Sequence, residues 1–361
     1  MKTALVHHWL LRMRGGERVL AAIARLYPEA PIFTLFHDPQ GLSPELRERE
    51  VRASVLNRLP GAKHLYRQLL PLYPLGCRSL DLRGFDLVVT SDASLIKGVR
   101  VDEGAVHICY CHSPPRYLWD MADVYLGGLG PLRRAAARLL LPRLRERDRR
   151  AAAGVTHFVA NSENVRERIR RCYGRESTVI YPPVEVFEAP AESEPGNYYM
   201  FLGHLTAYKR PDLAVSALTR LGRRLLVVGE GPELKRLRRL AGPSVEFPGW
   251  KPDAEVRRLL AGCRALIFPG EEDFGIVPVE AQMAGRPVIA LRKGGALETV
   301  VENSSGLFFD EPTPESLAEA LLRFEDVAGT FSREAIRENA LRFRPETFAQ
   351  DFADFAAGSV G

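Results

Sequence analysis

The stretch ALIFPGEEDFGIVPVEA, residues Ala265–Ala281, predicts a strand, a loop and a helix in direct succession. The run Ala265–Phe268 is apolar, and Gly275 lets a ligand approach the start of a helix whose free N–H groups and dipole favour an anion. Glu272 in the loop and Glu280 in the helix supply carboxylates that accept hydrogen bonds from sugar hydroxyls. We therefore predict a site for a diphosphate that carries a sugar.

The same alternation extends over the whole chain, with helical patterns such as Asp253–Leu260 and Glu315–Leu322 between short apolar runs. The predicted strands of the first half are Thr3–Val6, Ile32–Leu35, Leu87–Thr90, Val106–Tyr110, His157–Ala160 and Thr178–Tyr181. Those of the second half are Tyr198–Leu202, Leu225–Val228, Val245–Phe247, Ala265–Phe268, Val288–Ala290 and Gly306–Phe308. Nearly all-apolar strands between helices form buried parallel sheets. We expect an α/β fold with two doubly wound sheets.

A linker is predicted at Glu185–Gly196, which is rich in Pro, Glu, Ala and Ser and has no periodic pattern. The chain ends with three phenylalanines at helical spacing, Phe348, Phe352 and Phe355. We expect this last segment to form a helix that packs back onto the first domain. The predicted boundaries are an N-terminal domain over residues 1–184, a linker over 185–196, a C-terminal domain over 197–344 and the final helix over 345–361.

Composition limits the class of protein. The 361 residues are 46% hydrophobic and 26% charged, which suits two globular domains and argues against wholesale disorder. The net charge of +5 fits an anionic small molecule or membrane surface, whereas a nucleic-acid binder would rest on this charge alone, with no recognition motif behind it. The five cysteines are irregularly spaced, and neither a signal peptide nor an apolar run of about 20 residues is recognised. We expect a cytoplasmic protein with reduced thiols.

A second signal follows the first predicted strand of the C-terminal half. Lys209 lies shortly after the strand Tyr198–Leu202, at the carboxyl end where parallel sheets bind ligands. A lysine at this position neutralises a diphosphate as negative charge builds on it. The alternative is an ordinary solvated lysine.

The segment around Glu272 and Glu280 resembles the E-x7-E motif of the family 4 retaining glycosyltransferases, which have the GT-B fold of two Rossmann-like domains facing across a cleft. The resemblance implies that Glu272 contacts the donor sugar and Glu280 the ribose. It covers nearly the whole chain and is strongest between Tyr198 and Leu307. The residues that lie in register with the motif and are implied in donor binding are Phe274, Gly275, Ile276 and Val277.

The resemblance also assigns the diphosphate contacts. The family carries an arginine after the glycine that ends the first strand, and a lysine a few residues later; Lys209 matches the lysine, but His204 replaces the arginine. A protonated His204, Arg210 or a helix end is expected to substitute. Gly15 and Gly16 match a family loop that lies against the donor phosphates, although a Gly-Gly pair is also common in simple turns.

Two further segments complete the predicted site. Gly249 and Trp250 lie where the family holds the nucleotide base, mostly by backbone contacts. His112 lies at the carboxyl end of a predicted strand, in a segment similar to that of family members that use GDP-mannose in surface-polysaccharide assembly. It is either a buried structural histidine or, as the resemblance implies, a neighbour of the transferred sugar. The residues proposed to contact the acceptor are Trp9, Arg116 and Trp119.

Together these features predict a retaining transfer of a hexose from a nucleoside-diphosphate sugar to the hydroxyl of a glycan or a lipid-linked acceptor. GDP-mannose is the preferred donor, with UDP-sugars as the alternative. No Asp-x-Asp motif and no His/Cys cluster are found, so neither a metal nor a cofactor is expected. Two other functions are alternatives. One is a noncatalytic or partner-dependent sugar-nucleotide-binding subunit, which is favoured by His204 in place of the family arginine. The other is a sugar-nucleotide epimerase of the same fold.

Contact with a membrane is a separate expectation. Ala62–Leu80 mixes basic residues with leucine, tyrosine and proline, and Pro131–Arg150 is dense in arginine and leucine. Each is either a basic amphipathic surface that touches anionic lipid at the inner face of the cytoplasmic membrane or a solvated helix face. We favour the solvated face for the second stretch.

Overall fold

The computed structural model describes residues 1–128, 130–188 and 196–360. These residues form two compact units, the first made of Met1–Pro183 and Phe348–Gly361 and the second of Val184–Thr347. Residues 189–195 of the predicted linker lie outside the described residues.

Unit 1 is built on a seven-stranded, wholly parallel sheet in the order β3-β2-β1-β4-β5-β6-β7. Its strands are β1 (Thr3–His7), β2 (Ile32–Thr34), β3 (Val51–Ala53), β4 (Leu87–Asp92), β5 (Val106–Cys111), β6 (His157–Ala160) and β7 (Ser177–Val179). Its helices up to the boundary are α1 (Gly15–Leu26), α2 (Pro44–Arg47), α3 (Ala62–Leu65), α4 (Tyr73–Arg78), α5 (Ala122–Gly127), α6 (Pro131–Ala153) and α7 (Glu163–Tyr173).

Burial explains why these strands form. β1 and β4 are buried along their whole lengths because helices cover both faces of the sheet, and only uniformly apolar runs tolerate this. β3 was not predicted from the sequence, because its residues are partly or fully exposed at the sheet edge and therefore carry no apolar run. The strand predicted at Thr178–Tyr181 corresponds to β7, which begins one residue earlier and ends at Val179.

Unit 2 contains a six-stranded parallel sheet in the order β10-β9-β8-β11-β12-β13. Its strands are β8 (Tyr198–Leu202), β9 (Arg224–Val228), β10 (Val245–Gly249), β11 (Leu266–Phe268), β12 (Val288–Leu291) and β13 (Gly306–Phe309). Its helices are α8 (Pro211–Leu221), α9 (Leu234–Leu240), α10 (Asp253–Gly262), α11 (Ile276–Met283), α12 (Ala296–Thr299), α13 (Pro314–Val327) and α14 (Arg333–Leu341). The two doubly wound parallel-sheet domains predicted from the sequence are confirmed.

The final helix, α15 (Pro345–Val360), returns the chain to unit 1. Phe348 and Phe352 are buried there, with ring centroids 5.8 and 6.3 Å from that of Tyr110 in β5. Aromatic packing therefore fixes α15 to the sheet of unit 1.

The strand order determines where each sheet can hold a ligand. In unit 1 the order reverses between β1 and β4, and in unit 2 between β8 and β11. Loops that leave the carboxyl ends of two such strands diverge and open a crevice, which is where open parallel sheets bind ligands. The residues after these four strands are therefore the candidate ligand-binding residues.

Candidate functional site

The loops after β8 and β11 bring together two of the candidate residues of unit 2, Lys209 and Glu272. Lys209 ends a short 3-10 helix, Ala207–Lys209, and its Nζ lies 2.5 Å from Oε1 of Glu272. The lysine side chain is 15% exposed and the glutamate 23%, so both are largely shielded yet still reachable. This ion pair could not be predicted from the sequence, because it depends on β8 and β11 being neighbours in the sheet.

Glycines make this close approach of the loops feasible. A Cβ on Gly270 would lie 2.7 Å from the Cα of Lys209, and one on Gly294 would lie 2.5 Å from the backbone oxygen of Glu272. The backbone N–H of Gly295 donates to the same Glu272 oxygen at 2.9 Å. Larger residues at the first two positions would push the loops apart and separate the ion pair.

The beginning of α11 lies directly after this loop. Gly275, with φ of 92°, takes the left-handed conformation that glycine adopts readily, and the eight-residue helix then begins at Ile276. Glu280 lies within the helix and is partly buried, whereas the preceding Phe274 is buried with its ring centroid 5.2 Å from that of Phe343. Ile276 and Val277 are partly exposed at the first turn. The helix start thus offers backbone N–H donors beside the ion pair.

The other predicted donor residues lie in the loop after β8 and at the end of β10. His204 is exposed, and Arg210 has a left-handed φ of 51° and contacts Asp212 at 3.1 Å. Gly249 ends β10 with φ of 77°, and its oxygen accepts a hydrogen bond from Gly229 at 2.9 Å. Trp250 projects into solvent, with 69% of its surface exposed.

Unit 1 brings Gly16 and His112 together at the carboxyl edge of its sheet. His112 is the first residue after β5, and α1 begins at Gly15. A Cβ on Gly16 would lie 3.5 Å from Nε2 of His112 and 3.4 Å from Cε1 of His7. The glycine therefore lets the start of α1 lie against two imidazole rings.

Three histidines of unit 1 form a cluster around Ser91, and only His112 among them is predicted from the sequence as a site residue. The Ser91 Oγ lies 3.0 Å from Nδ1 of His7 and 2.7 Å from Nε2 of His112, while Nδ1 of His8 donates to the Ser91 carbonyl at 3.3 Å. Nε2 of His7 lies 3.7 Å from Oε1 of the buried Glu17. The pair His7–His8 at the end of β1 was the available signal, since it follows a strand as His112 does.

Burial controls the ionisation of this cluster. It lowers the pKa of His7 to about 4 and, together with the neighbouring imidazoles, the pKa values of His8 and His112 to about 3. Burial also raises the pKa of the Glu17 carboxyl. The three rings are therefore neutral at pH 7, so that each can both donate and accept a hydrogen bond.

The proposed acceptor residues lie in different surroundings. Trp9, with its ring centroid 4.9 Å from that of Tyr66, lines a cavity of about 230 Å³ with basic side chains. Neither Arg116 nor Trp119 is among the described residues that line this cavity. Nε1 of Trp119 instead donates to Asp148 at 2.8 Å. The basic residues of the cavity are Arg12, Arg14, Lys63 and His64.

A buried ion cluster supports the end of β4 in unit 1. Lys97 is 1% exposed, and its Nζ lies 3.1 Å from Asp92 and 2.5 Å from Asp148. Asp92 directly follows Ser91, so the cluster holds the strand end on which the histidines converge.

Within residues 1–128, 130–188 and 196–360, no group of three or more His, Cys, Asp or Glu residues could hold a metal ion, and the five cysteines are buried and free. None of the helices described there is both long and apolar enough to cross a bilayer.

Two family models match the chain in adjacent halves. Residues 13–186 match the model described as "Glycosyltransferase Family 4", and residues 185–343 match the one described as "Glycosyl transferases group 1". The GDP-mannose-dependent α-(1-6)-phosphatidylinositol monomannoside mannosyltransferase of Mycobacterium tuberculosis is 31% identical over 257 residues. That alignment covers 61% of this chain and 66% of the relative, which is less than two thirds of the relative's length.

Two solved structures resemble the chain over almost its full length. Sucrose-phosphate synthase from Thermosynechococcus elongatus has a TM-score of 0.74 at 18% identity and covers 99% of both chains. The Anabaena HepE structure in complex with UDP has a TM-score of 0.72 at 17% identity and covers 99% of this chain and 100% of the other. At these identities the likeness concerns the fold.

Proposed function

Because the chain belongs to the family 4 glycosyltransferases and has the GT-B fold, we propose that it transfers mannose from GDP-mannose to a glycan or lipid-linked acceptor hydroxyl. Transfer retains the configuration of the anomeric carbon, with the leaving diphosphate helping to deprotonate the acceptor. The protein contributes by positioning both substrates and by stabilising the charge that develops on the diphosphate.

The observation that carries this proposal is the ion pair between Lys209 and Glu272 beside the start of α11. A diphosphate placed at the helix start receives backbone N–H donors and the ammonium of Lys209. Glu272 is then released to accept hydrogen bonds from the sugar. Glu280, one turn into the helix, accepts from the ribose hydroxyls.

Support for the donor comes from the named mannosyltransferase relative, which is GDP-mannose-dependent. Trp250 and Gly249 lie at the end of β10, where an exposed aromatic ring and an open backbone suit a nucleotide base. UDP-sugars are the competing donors, since the HepE structure contains UDP.

The acceptor is proposed to bind unit 1. His112 contacts the transferred sugar, and the cavity lined by Trp9 and Tyr66 offers aromatic faces for an acceptor sugar. The adjoining segment exposes Leu65, Leu72 and Leu75, at 45%, 42% and 56% of their surfaces, among basic side chains. This combination of apolar and cationic groups suits peripheral contact with an anionic bilayer that holds a lipid-linked acceptor.

The decisive experiment combines binding with product analysis. The purified chain is titrated by calorimetry with GDP, UDP, GDP-mannose and UDP-glucose in EDTA, and donor turnover is followed by NMR of the anomeric proton. We expect selective binding of GDP and GDP-mannose without metal, and an α-configured mannose product. Binding of UDP alone would overturn the choice of donor. Nucleotide-sugar binding without transfer or hydrolysis would favour the noncatalytic subunit.

A further inference from the structure

The hydroxyl of Ser91 connects two imidazole rings that come from different strands. His7 and Ser91 are register partners in β1 and β4, and His112 follows β5, the strand beside β4. Ser91 is fully buried, and its Oγ lies 3.0 Å from Nδ1 of His7 and 2.7 Å from Nε2 of His112. Both distances are those of hydrogen bonds.

A serine hydroxyl has one proton, which restricts the protonation of both rings. When Ser91 donates to one imidazole nitrogen and accepts from the other, only one of these two nitrogens carries hydrogen. If Ser91 donates to His112, the proton of that ring is on Nδ1. If Ser91 donates to His7, His112 carries its proton on Nε2 and its Nδ1 has a free lone pair. The direction of the two hydrogen bonds through Ser91 therefore sets the tautomer of His112.

The surroundings of His7 select the direction of the hydrogen bonds through Ser91. Nε2 of His7 is buried without a hydrogen-bond partner and lies 3.7 Å from Oε1 of Glu17. A carboxylate attracts an N–H dipole over this distance, whereas a neutral carboxyl would need closer contact to donate to a bare nitrogen. A proton on Nε2 of His7 therefore fits the geometry better, and Nδ1 of His7 then accepts from Ser91.

Three other titratable groups lie near these hydrogen bonds. They are His8 directly after β1, Arg14 directly before α1 and Asp92 at the end of β4. Nδ1 of His8 points to the Ser91 carbonyl and not to its hydroxyl, so His8 does not compete with His7 and His112 for the hydroxyl. The backbone N–H of His112 donates to the oxygen of Asp92 at 2.8 Å, which fixes the residue from its other side.

We propose that Ser91 is a positioning residue that holds His112 as the Nε2–H tautomer, so that its Nδ1 accepts a hydrogen bond from a hydroxyl of the transferred sugar. The second half of this statement rests on the proposed function, because it requires that His112 meet the sugar. Nδ1 of His112 has no hydrogen-bond partner among the residues that the structure describes, and the residue as a whole is only partly buried. A ligand hydroxyl can therefore reach it.

The first test is the tautomer itself, which needs no substrate. Long-range ¹H–¹⁵N NMR of the ¹⁵N-histidine-labelled chain at pH 7.5 gives the shifts of both ring nitrogens, and the His112→Gln spectrum assigns them. We expect a protonated Nε2 and an unprotonated Nδ1. Ser91→Ala should move the ¹⁵N shifts of both ring nitrogens of His112 towards averaged values, and Ser91→Thr should restore the wild-type shifts. Ser94→Ala changes a buried serine that takes no part in the hydrogen bonds between His7, Ser91 and His112, and it should leave the shifts unchanged. A proton on Nδ1 of His112, or unchanged shifts in Ser91→Ala, would overturn the proposal.

The second test links the tautomer to the reaction. For a folded Ser91→Ala protein we expect kcat/KM for the donor to fall about 10-fold, with Ser91→Thr recovering most of it. Donors that each lack one sugar hydroxyl can then be compared. The donor without the hydroxyl that His112 contacts should show no further loss of kcat/KM when Ser91 is replaced by Ala. Equal losses with every donor, or wild-type kinetics, would refute the role of Ser91 in positioning. A chain that transfers no sugar at all refutes the proposed function and the sugar contact, while the NMR result still decides the tautomer.

Discussion

Nζ of Lys209 lies 2.5 Å from Oε1 of Glu272, so two of the candidate donor-binding groups of unit 2 neutralise each other's charge. Both side chains lie in loops that follow adjacent strands, β8 and β11, at the point where the sheet order reverses. An anionic donor has to compete for the lysine, and the glutamate becomes available to hydroxyls only as that happens. The pair keeps both groups ordered before the donor arrives, which lowers the entropy cost of binding.

Removing either partner should therefore reveal their coupling. We expect Lys209→Ala to lower kcat roughly 100-fold or more, since one group that stabilises developing charge is lost. Because both residues act on the same donor, the double variant Lys209→Ala/Glu272→Gln should lose much less than the product of the two single losses. Steady-state kinetics of the four proteins measures this. Lys235→Ala, an exposed lysine on α9, is the matched control, and full additivity would argue against a shared ligand.

Glu280 should act on affinity and not on the chemical step. Loss of a carboxylate that accepts from the ribose hydroxyls should weaken donor binding by about 1.5–3 kcal/mol, which is roughly 10- to 100-fold. Calorimetry with GDP on Glu280→Ala checks this. Glu319→Ala removes an exposed glutamate from α13 and should bind as the wild type does. Unchanged affinity in Glu280→Ala would contradict its assignment to the nucleotide.

The buried cluster around Lys97 should dominate the stability of unit 1. Lys97→Met leaves Asp92 and Asp148 facing each other without their common counter-charge, and breaking such a buried pair costs about 3–5 kcal/mol. Urea unfolding followed by circular dichroism should show an earlier transition for unit 1. A loss below about 1 kcal/mol, the value of an exposed pair, would show that water reaches the cluster.

Acid should destabilise the chain through its buried histidines. Burial lowers the pKa of His7 and His107 to about 4 and that of His8 to about 3, from an ordinary value of 6.5. Between pH 6.5 and 4 the unfolded state therefore binds more protons, and each histidine lowers stability by up to about 1.4 kcal/mol per pH unit. Glu17, whose pKa is raised, opposes this by at most one proton.

Unfolding in urea between pH 4.5 and 7.5 gives the number of protons taken up. The variant His107→Phe removes a buried ring that contacts Thr90 at 3.1 Å, outside the cluster around Ser91. Its proton uptake should be lower by about one than that of the wild type. A stability that does not change over this range would mean that the rings are accessible to water in the native state.

Membrane contact is checked with vesicles. Leu65→Ser/Leu72→Ser should weaken sedimentation with anionic vesicles roughly 10-fold or more, because burying a leucine side chain contributes about 1.5–3 kcal/mol. Leu240→Ser in unit 2 is the control, since Leu240 is 42% exposed, as Leu72 is. Equal binding by all three proteins, or equal binding to neutral vesicles, would assign the exposed leucines to another role.

The sequence predicted the strands well and their neighbours poorly. The bounds of β6 and β8 agree with the predicted runs, because a strand buried on both faces needs an uninterrupted apolar stretch. The edge strand β3 lacks such a stretch and was missed. The family resemblance named Lys209 and Glu272, yet their contact could not be foreseen from spacing along the chain.

The histidine cluster around Ser91 in unit 1 could not be foreseen from the sequence for the same reason. Ser91 meets His7 and His112 only because β4 lies between β1 and β5, and this order is a property of the folded sheet. Ser91 lies directly after the predicted strand Leu87–Thr90, and a serine there carries no chemical signal of its own. Glu17 was hidden for a related reason, since a glutamate in the first turn of a helix is usually explained by the helix dipole.

The path of the chain between the two units also determines which segments can be exchanged with a relative by recombination. Unit 1 resumes at Phe348 after unit 2 ends, and α15 completes the packing around Tyr110. Unit 2 is thus a cassette inserted into the sequence of unit 1. A recombination with one crossover would give unit 1 a foreign α15 and a mismatched aromatic contact. Two crossovers, near residues 184 and 347, would exchange the proposed donor half and leave the other unit whole.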